Sequence, residues 1–176
     1  MNLKKVSIFI SLVLRHKPEV ANIKLDSHGW AKVNELITGL KIKFPEINMS
    51  ILEEIVATDS KHRYSFNNDK TMIRANQGHS VNVEVELKEV NPPEILFHGT
   101  SSNVLDSIYK NGIKPMSRLY VHLSKDHSTA IMVGKRHGNP VVLSIAAQDM
   151  YKDGYKFFLS ENGVYLTSEV PTKYLI

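Results

Sequence analysis

Apolar residues recur at spacings of three and four from near the N-terminus: Val6, Phe9, Ile10, Val13 and Leu14 mark one face of an amphipathic helix over about residues 3–15. Pro18 closes it, because the residue before a proline is pushed out of the α region. Arg15 and His16 therefore fall in the last turn, where the helix dipole favours a cation. Val33, Leu36, Ile37 and Leu40 define a second helical face, entered through Trp30–Val33. Asn48 or Ser50 is placed to cap a third helix over Ile51–Ala57. Ile23–Asp26 reads as a short strand ending in the turn Ser27-His28-Gly29. Arg63–Phe66 and Thr71–Ala75 flank Asn67-Asn68-Asp69-Lys70, which predicts a β-hairpin. Helices followed by a hairpin suggest a winged helix, a module that often meets nucleic acid.

Beyond the hairpin, Val81–Val85 alternates as an edge strand. Lys88-Glu89-Val90-Asn91-Pro92-Pro93 is charged and then stiffened by two prolines, as a linker would be. The expected domains are therefore residues 1–90 and 94–176. In the second, Ile95–His98 reads as a buried strand ending at Gly99-Thr100-Ser101-Ser102. Helices are expected over Asn103–Lys110, Ser128–Arg136 and Ala147–Tyr151. Further strands are expected at Val141–Ile145, Phe157–Leu159 and Val164–Leu166. Many short strands with a few helices make the fold class α+β. In Pro115–Ser124, Tyr120–Leu123 reads as a strand. If it reaches back to Arg118, that cation and His122 share a face, since side chains four apart on a strand point the same way.

Composition narrows the chemistry. The chain has 176 residues, of which 42% are hydrophobic and 23% charged, enough for a real core and unlike a disordered chain. It contains no Cys, which excludes disulfides and thiolate catalysis and fits a reducing compartment. The net charge is +4, spread over both parts without a basic tail, so any nucleic-acid contact must come from individually placed cations. Lys4-Lys5 before Val6–Leu14 resembles the start of a signal peptide, but a largely apolar run of nine residues is too short to span a bilayer. A cytoplasmic, monomeric protein is expected. Eight His residues include no His-x-x-x-His pair, and no Walker A or Gly-x-Gly-x-x-Gly sequence is present, so no metal is assigned.

What remains is a set of phosphate-compatible groups at the ends of elements: Arg15-His16, Arg63, Arg118, His98-Gly99-Thr100 and His122-Leu123-Ser124. Guanidinium forks bind two phosphate oxygens at once, imidazole donates or accepts a hydrogen bond, and Thr100 and Ser124 offer hydroxyls. Gly99 would let a ligand approach the backbone. Each group alone is equally compatible with a surface Arg or a hydrogen-bonded core His.

In order along the chain stand Leu12–Pro18, Asp26-Ser27-His28-Gly29-Trp30, Arg63–Phe66, Ile73–Ser80, His98-Gly99-Thr100, Met116-Ser117-Arg118 and Val121–Ser124. Together these motifs resemble the RNA (tRNA) 2′-phosphotransferase family over essentially the whole chain. The resemblance implies an N-terminal winged-helix RNA-binding lobe and a C-terminal ADP-ribosyltransferase-like lobe, with RNA and the co-substrate NAD meeting in a cleft. It implies removal of an internal, splice-junction 2′-phosphate through an RNA-2′-phospho-ADP-ribose intermediate. The family's essential Arg-His-Arg-Arg set falls on Arg15, His16, Arg63 and Arg118. Its NAD site falls on His98, Gly99, Thr100, His122, Leu123 and Ser124, with Val164 on the nicotinamide side. Arg74, His79 and Ser80 are candidates for RNA contact. Two other activities remain open: ADP-ribosyl transfer to protein or terminal phosphates, and NAD sensing by a nucleic-acid-binding regulator.

Overall fold

The computed structural model describes residues 2–84 and 87–176. They form an α+β protein whose contacts divide it into two compact units, residues 1–86 and 87–176.

The first unit opens with α1 (Leu3–Arg15), begun by the Asn2 side chain accepting from the Lys5 amide. Its Val6, Ile10, Val13 and Leu14 are fully buried, as the spacing requires. A single 3-10 turn, Pro18–Ala21, follows. Ile23–Asp26, expected as a strand, pairs with no strand among the described residues; the Asp26 carboxylate instead accepts from the His28 and Trp30 amides and closes a turn. Trp30–Lys32 is itself a strand, β1, leading into α2 (Val33–Lys41). Asn48 caps α3 (Met49–Thr58), its side chain accepting from the Ile51 amide. The hairpin forms as β2 (Tyr64–Phe66) and β3 (Met72–Ala75), and β1 adds to it in the order β1-β3-β2, all antiparallel. Residues 81–84 are not a strand, and Val85 lies outside the described residues. The core joins α1, α2, α3 and the sheet through Leu14, Leu36, Leu40, Leu52 and Ile73.

In the second unit, Lys88–Glu89, expected within the linker, is the short edge strand β4. The strand beginning at Ile95 does not stop at His98: β5 (Ile95–Ser101) pairs along its whole length with β7 (Pro140–Ala146). Between them come α4 (Leu105–Asn111), β6 (Val121–Leu123) and α5 (His127–Gly134). After β7 the chain adds α6 (Ala147–Lys152), β8 (Phe158–Leu159) and β9 (Tyr165–Thr167). The second sheet runs β4-β8-β9-β6, and its core centres on Leu96, Leu123, Ile145, Met150 and Phe157. Among the described residues no helix is long and apolar enough to cross a membrane.

The glycine of the His98-Gly99-Thr100 motif is explained by packing. A Cβ on Gly99 would lie 1.8 Å from the Ala130 carbonyl oxygen, and one on Gly134 would lie 2.6 Å from that of Thr100. The two glycines let α5 lie directly on β5, so the side-chain direction at Gly99 is taken by α5.

Candidate functional site

In the first unit, one segment gathers the candidate residues. The Asn76 amide donates to the Arg63 carbonyl at 2.8 Å, and its side-chain amide donates to the His62 carbonyl at 2.7 Å. Four residues on, the Ser80 amide donates to the Arg15 carbonyl at 2.9 Å, satisfying one of the orphan acceptors at the end of α1. The Ser80 hydroxyl is 2.9 Å from Nδ1 of His16. Gly78 has a left-handed φ of +88°, and a Cβ there would lie 3.5 Å from the Arg15 guanidinium carbon. Asn76–Ser80 thus straps the end of α1 to the start of the hairpin, holding Arg15, His16 and Arg63 in one unit.

Two residues proposed for RNA contact are enclosed here. Arg74 is 6% exposed, with its guanidinium 4.4 Å over the ring of Trp30, its cross-strand neighbour. That stacking is the cation–π geometry an Arg on a strand face adopts. His79 is 2% exposed. Burial, then electrostatic repulsion from Arg15, His16 and Arg74, push its pKa down to about 4, so the ring is neutral. Both side chains therefore serve the interior of this unit. Of the three, Ser80 is the exposed one.

His16 and Arg63 line a single groove of about 550 Å³ between the outer face of α1 (Lys4, Ser7, Ser11) and the end of α3 (Thr58–Ser60). Cation, imidazole and hydroxyls around an open volume of that size suit a phosphorylated ligand. Nothing in the sequence pattern foretold Asp59, which also lines the groove. Its carboxylate pairs with Nη1 of Arg63 and accepts from the Arg63 backbone amide at 2.6 Å.

In the second unit, Phe97 and Ser124 exchange two backbone hydrogen bonds of 2.9 and 2.7 Å, laying the end of β6 beside β5. His98 and His122 are neighbours as a result, and Nδ1 of His98 donates to the His122 carbonyl at 3.1 Å. Burial lowers the His98 pKa; the bond to His122 opposes this, and His137 and Arg118 reinforce it. With Nδ1 carrying the proton, the neutral ring offers Nε2 as an acceptor. Arg118 does not belong to β6, since residues 116–120 are turn and bend. The loop nevertheless brings it to His122, whose Nδ1 accepts from Nη1 of Arg118 at 2.8 Å. Burial, then the neighbouring Arg136, draw the Arg118 pKa below its ordinary value, and a guanidinium stays charged under such a shift.

Thr100 is buried, 7% exposed, on the same strand as His98. The Leu123 side chain belongs to the core. Val164 is half-buried at the head of β9, its amide donating to the Ser160 hydroxyl at 3.1 Å. The structure therefore brings Arg118, His98 and His122 together and sets Thr100 and Ser124 on the same pair of strands. Arg136, just beyond α5, adds positive charge to this group.

Residues 2–169 match the family model described as RNA 2′-phosphotransferase, Tpt1 / KptA family. A probable RNA 2′-phosphotransferase of Flavobacterium johnsoniae is 51% identical over 172 residues, covering 98% of this chain and 94% of that protein. One from Fusobacterium nucleatum is 55% identical, covering 97% and 96% respectively. One from Escherichia coli is 47% identical, covering 98% and 95%.

Proposed function

This chain belongs to the RNA 2′-phosphotransferase family, and from that premise we propose that it removes an internal 2′-phosphate from RNA, with NAD as acceptor. The first unit is the RNA-binding, winged-helix-like lobe. The second is the NAD-binding lobe of ADP-ribosyltransferase type. In the first step a 2′-phosphate oxygen attacks the ribose carbon that bears nicotinamide, the glycosidic C–N bond breaks, and nicotinamide leaves with its electron pair. In the second step the adjacent ribose 2″-hydroxyl attacks phosphorus and the P–O2′ bond breaks. The hydroxyl proton ends on the RNA oxygen, giving 2′-hydroxyl RNA and ADP-ribose 1″,2″-cyclic phosphate.

The observation that carries this proposal is the groove lined by both His16 and Arg63. A phosphate monoester is strongly anionic, and a guanidinium fork beside an imidazole can fix it for in-line attack. Arg15, His16, Arg63 and Arg118 are assigned to that phosphate and to the charge that grows as the RNA oxygen departs. The residues of the second unit fit NAD. His98 is held neutral by burial and so does not repel the cationic nicotinamide, while the hydroxyls of Thr100 and Ser124 supply directional polar contacts. The first step needs no general base, because the attacking phosphate is already ionised.

Incubation with NAD and RNA bearing an internal 2′-phosphate, without added metal, should release nicotinamide and 2′-hydroxyl RNA in equal amounts. Folded protein that forms neither product would overturn the proposal.

A further inference from the structure

Resting on that functional reading, we infer that Asp59 is a positioning residue that holds the Arg63 guanidinium ready for the phosphate. α3 ends at Thr58 and Asp59 is its C-cap, so the Asp59–Arg63 pair, although four residues apart, is not a helix-surface ion pair. The loop makes it. One carboxylate oxygen accepts from the Arg63 amide at 2.6 Å, and the other pairs with Nη1 of the same residue. The Asp59 carbonyl accepts from the His62 amide at 2.8 Å, and His62 has a left-handed φ of +43°. The carboxylate fixes both ends of Arg63, backbone and side chain.

Burial distinguishes this pair from the lysine–carboxylate pairs elsewhere. The Asp59 side chain is 6% exposed and that of Arg63 is 30%, whereas the Lys70–Glu53 and Lys114–Glu169 pairs are about half exposed. A carboxylate that has lost most of its water must keep its partner, so the guanidinium is tied in place. Because Asp59 engages Nη1, other nitrogens of the fork remain for an incoming ligand. Arg63 also lines the groove it shares with His16, so the tethered cation stands at open space. An untethered Arg would have to be ordered during the reaction, and rates fall steeply with such misplacement.

The test is a double-mutant cycle on Asp59→Asn and Arg63→Ala, read as rates of 2′-phosphate removal per folded molecule. Asparagine keeps an oxygen for the Arg63 amide but removes the charge; Asp59→Ser serves if Asn does not fold. We expect Asp59→Asn to slow the wild-type reaction about tenfold and to change the Arg63→Ala enzyme less than about twofold, because the two act as one unit. The same variant should build up the RNA-ADP-ribose adduct relative to product, which a smaller folded fraction would not do, and Asp59→Glu should restore part of the rate. Equal losses in both backgrounds, or a loss without any change in the adduct-to-product ratio, would overturn the inference. If the wild-type protein removes no 2′-phosphate, the functional reading fails before Asp59 is put to the test.

Discussion

His79 ties the stability of the first unit to pH. Its ring is buried among positive groups, and its pKa falls from the ordinary 6.5 to about 4. Since the folded value lies below the unfolded one, the native state binds fewer protons. The stability at stake is fully present above about pH 6.5 and is lost as pH falls towards 4. At pH 5 the unfolded ring is about 97% protonated and the native ring about 10%, which amounts to about 2 kcal/mol lost relative to pH 7.5. The three lowered carboxylates, Asp69, Asp126 and Asp153, begin below 3.8 and so act outside this window. Trp30 is the only tryptophan, and it lies in the first unit under Arg74, so its fluorescence follows the relevant unfolding. Urea titrations at about pH 7.5 and pH 5 on the wild type and His79→Gln should show that most of this extra acid loss belongs to the wild type. Equal losses in the two proteins would refute the linkage.

Other expectations follow from the same structure. Arg63→Ala or Arg118→Ala should slow the second step more than the first, by about a hundredfold for ~3 kcal/mol of lost charge stabilisation, so the RNA-ADP-ribose adduct accumulates in a time course. His98→Ala or Thr100→Ala should instead slow the first step and weaken NAD use without that accumulation. Gly99→Ala puts a methyl 1.8 Å from the Ala130 oxygen, where ordinary contact begins at 3.4 Å. The backbone of α5 must retreat, and thermal unfolding should register a loss of about 3 kcal/mol or more.

Local pattern made the six α-helices of the described residues and the hairpin legible, because burial on α1 and α2 follows a spacing that a chain can announce by itself. The exceptions came from contacts distant in sequence. Gly99 looked like the end of a strand, but β5 runs through it since α5 supplies the reason for glycine from thirty residues away. Ile23–Asp26 has strand composition but finds no edge to join among the described residues. Arg118 and His122 were expected together on one strand face; they do meet, though through a loop, so the contact was legible and its cause was not. Arg74 and His79 read as polar groups for RNA, and their burial depends on Trp30 across the sheet and on the strap closing over α1. Asp59 was unreadable as a partner of Arg63 because its importance lies in its burial, and no periodicity encodes that.

Transfer of the phosphorus itself bears most directly on the account. RNA carrying a radiolabelled internal 2′-phosphate, incubated with the protein and NAD, should pass its label into an ADP-ribose-linked small molecule, with none released when NAD is omitted. Label appearing as inorganic phosphate, at the same rate with or without NAD, would contradict it.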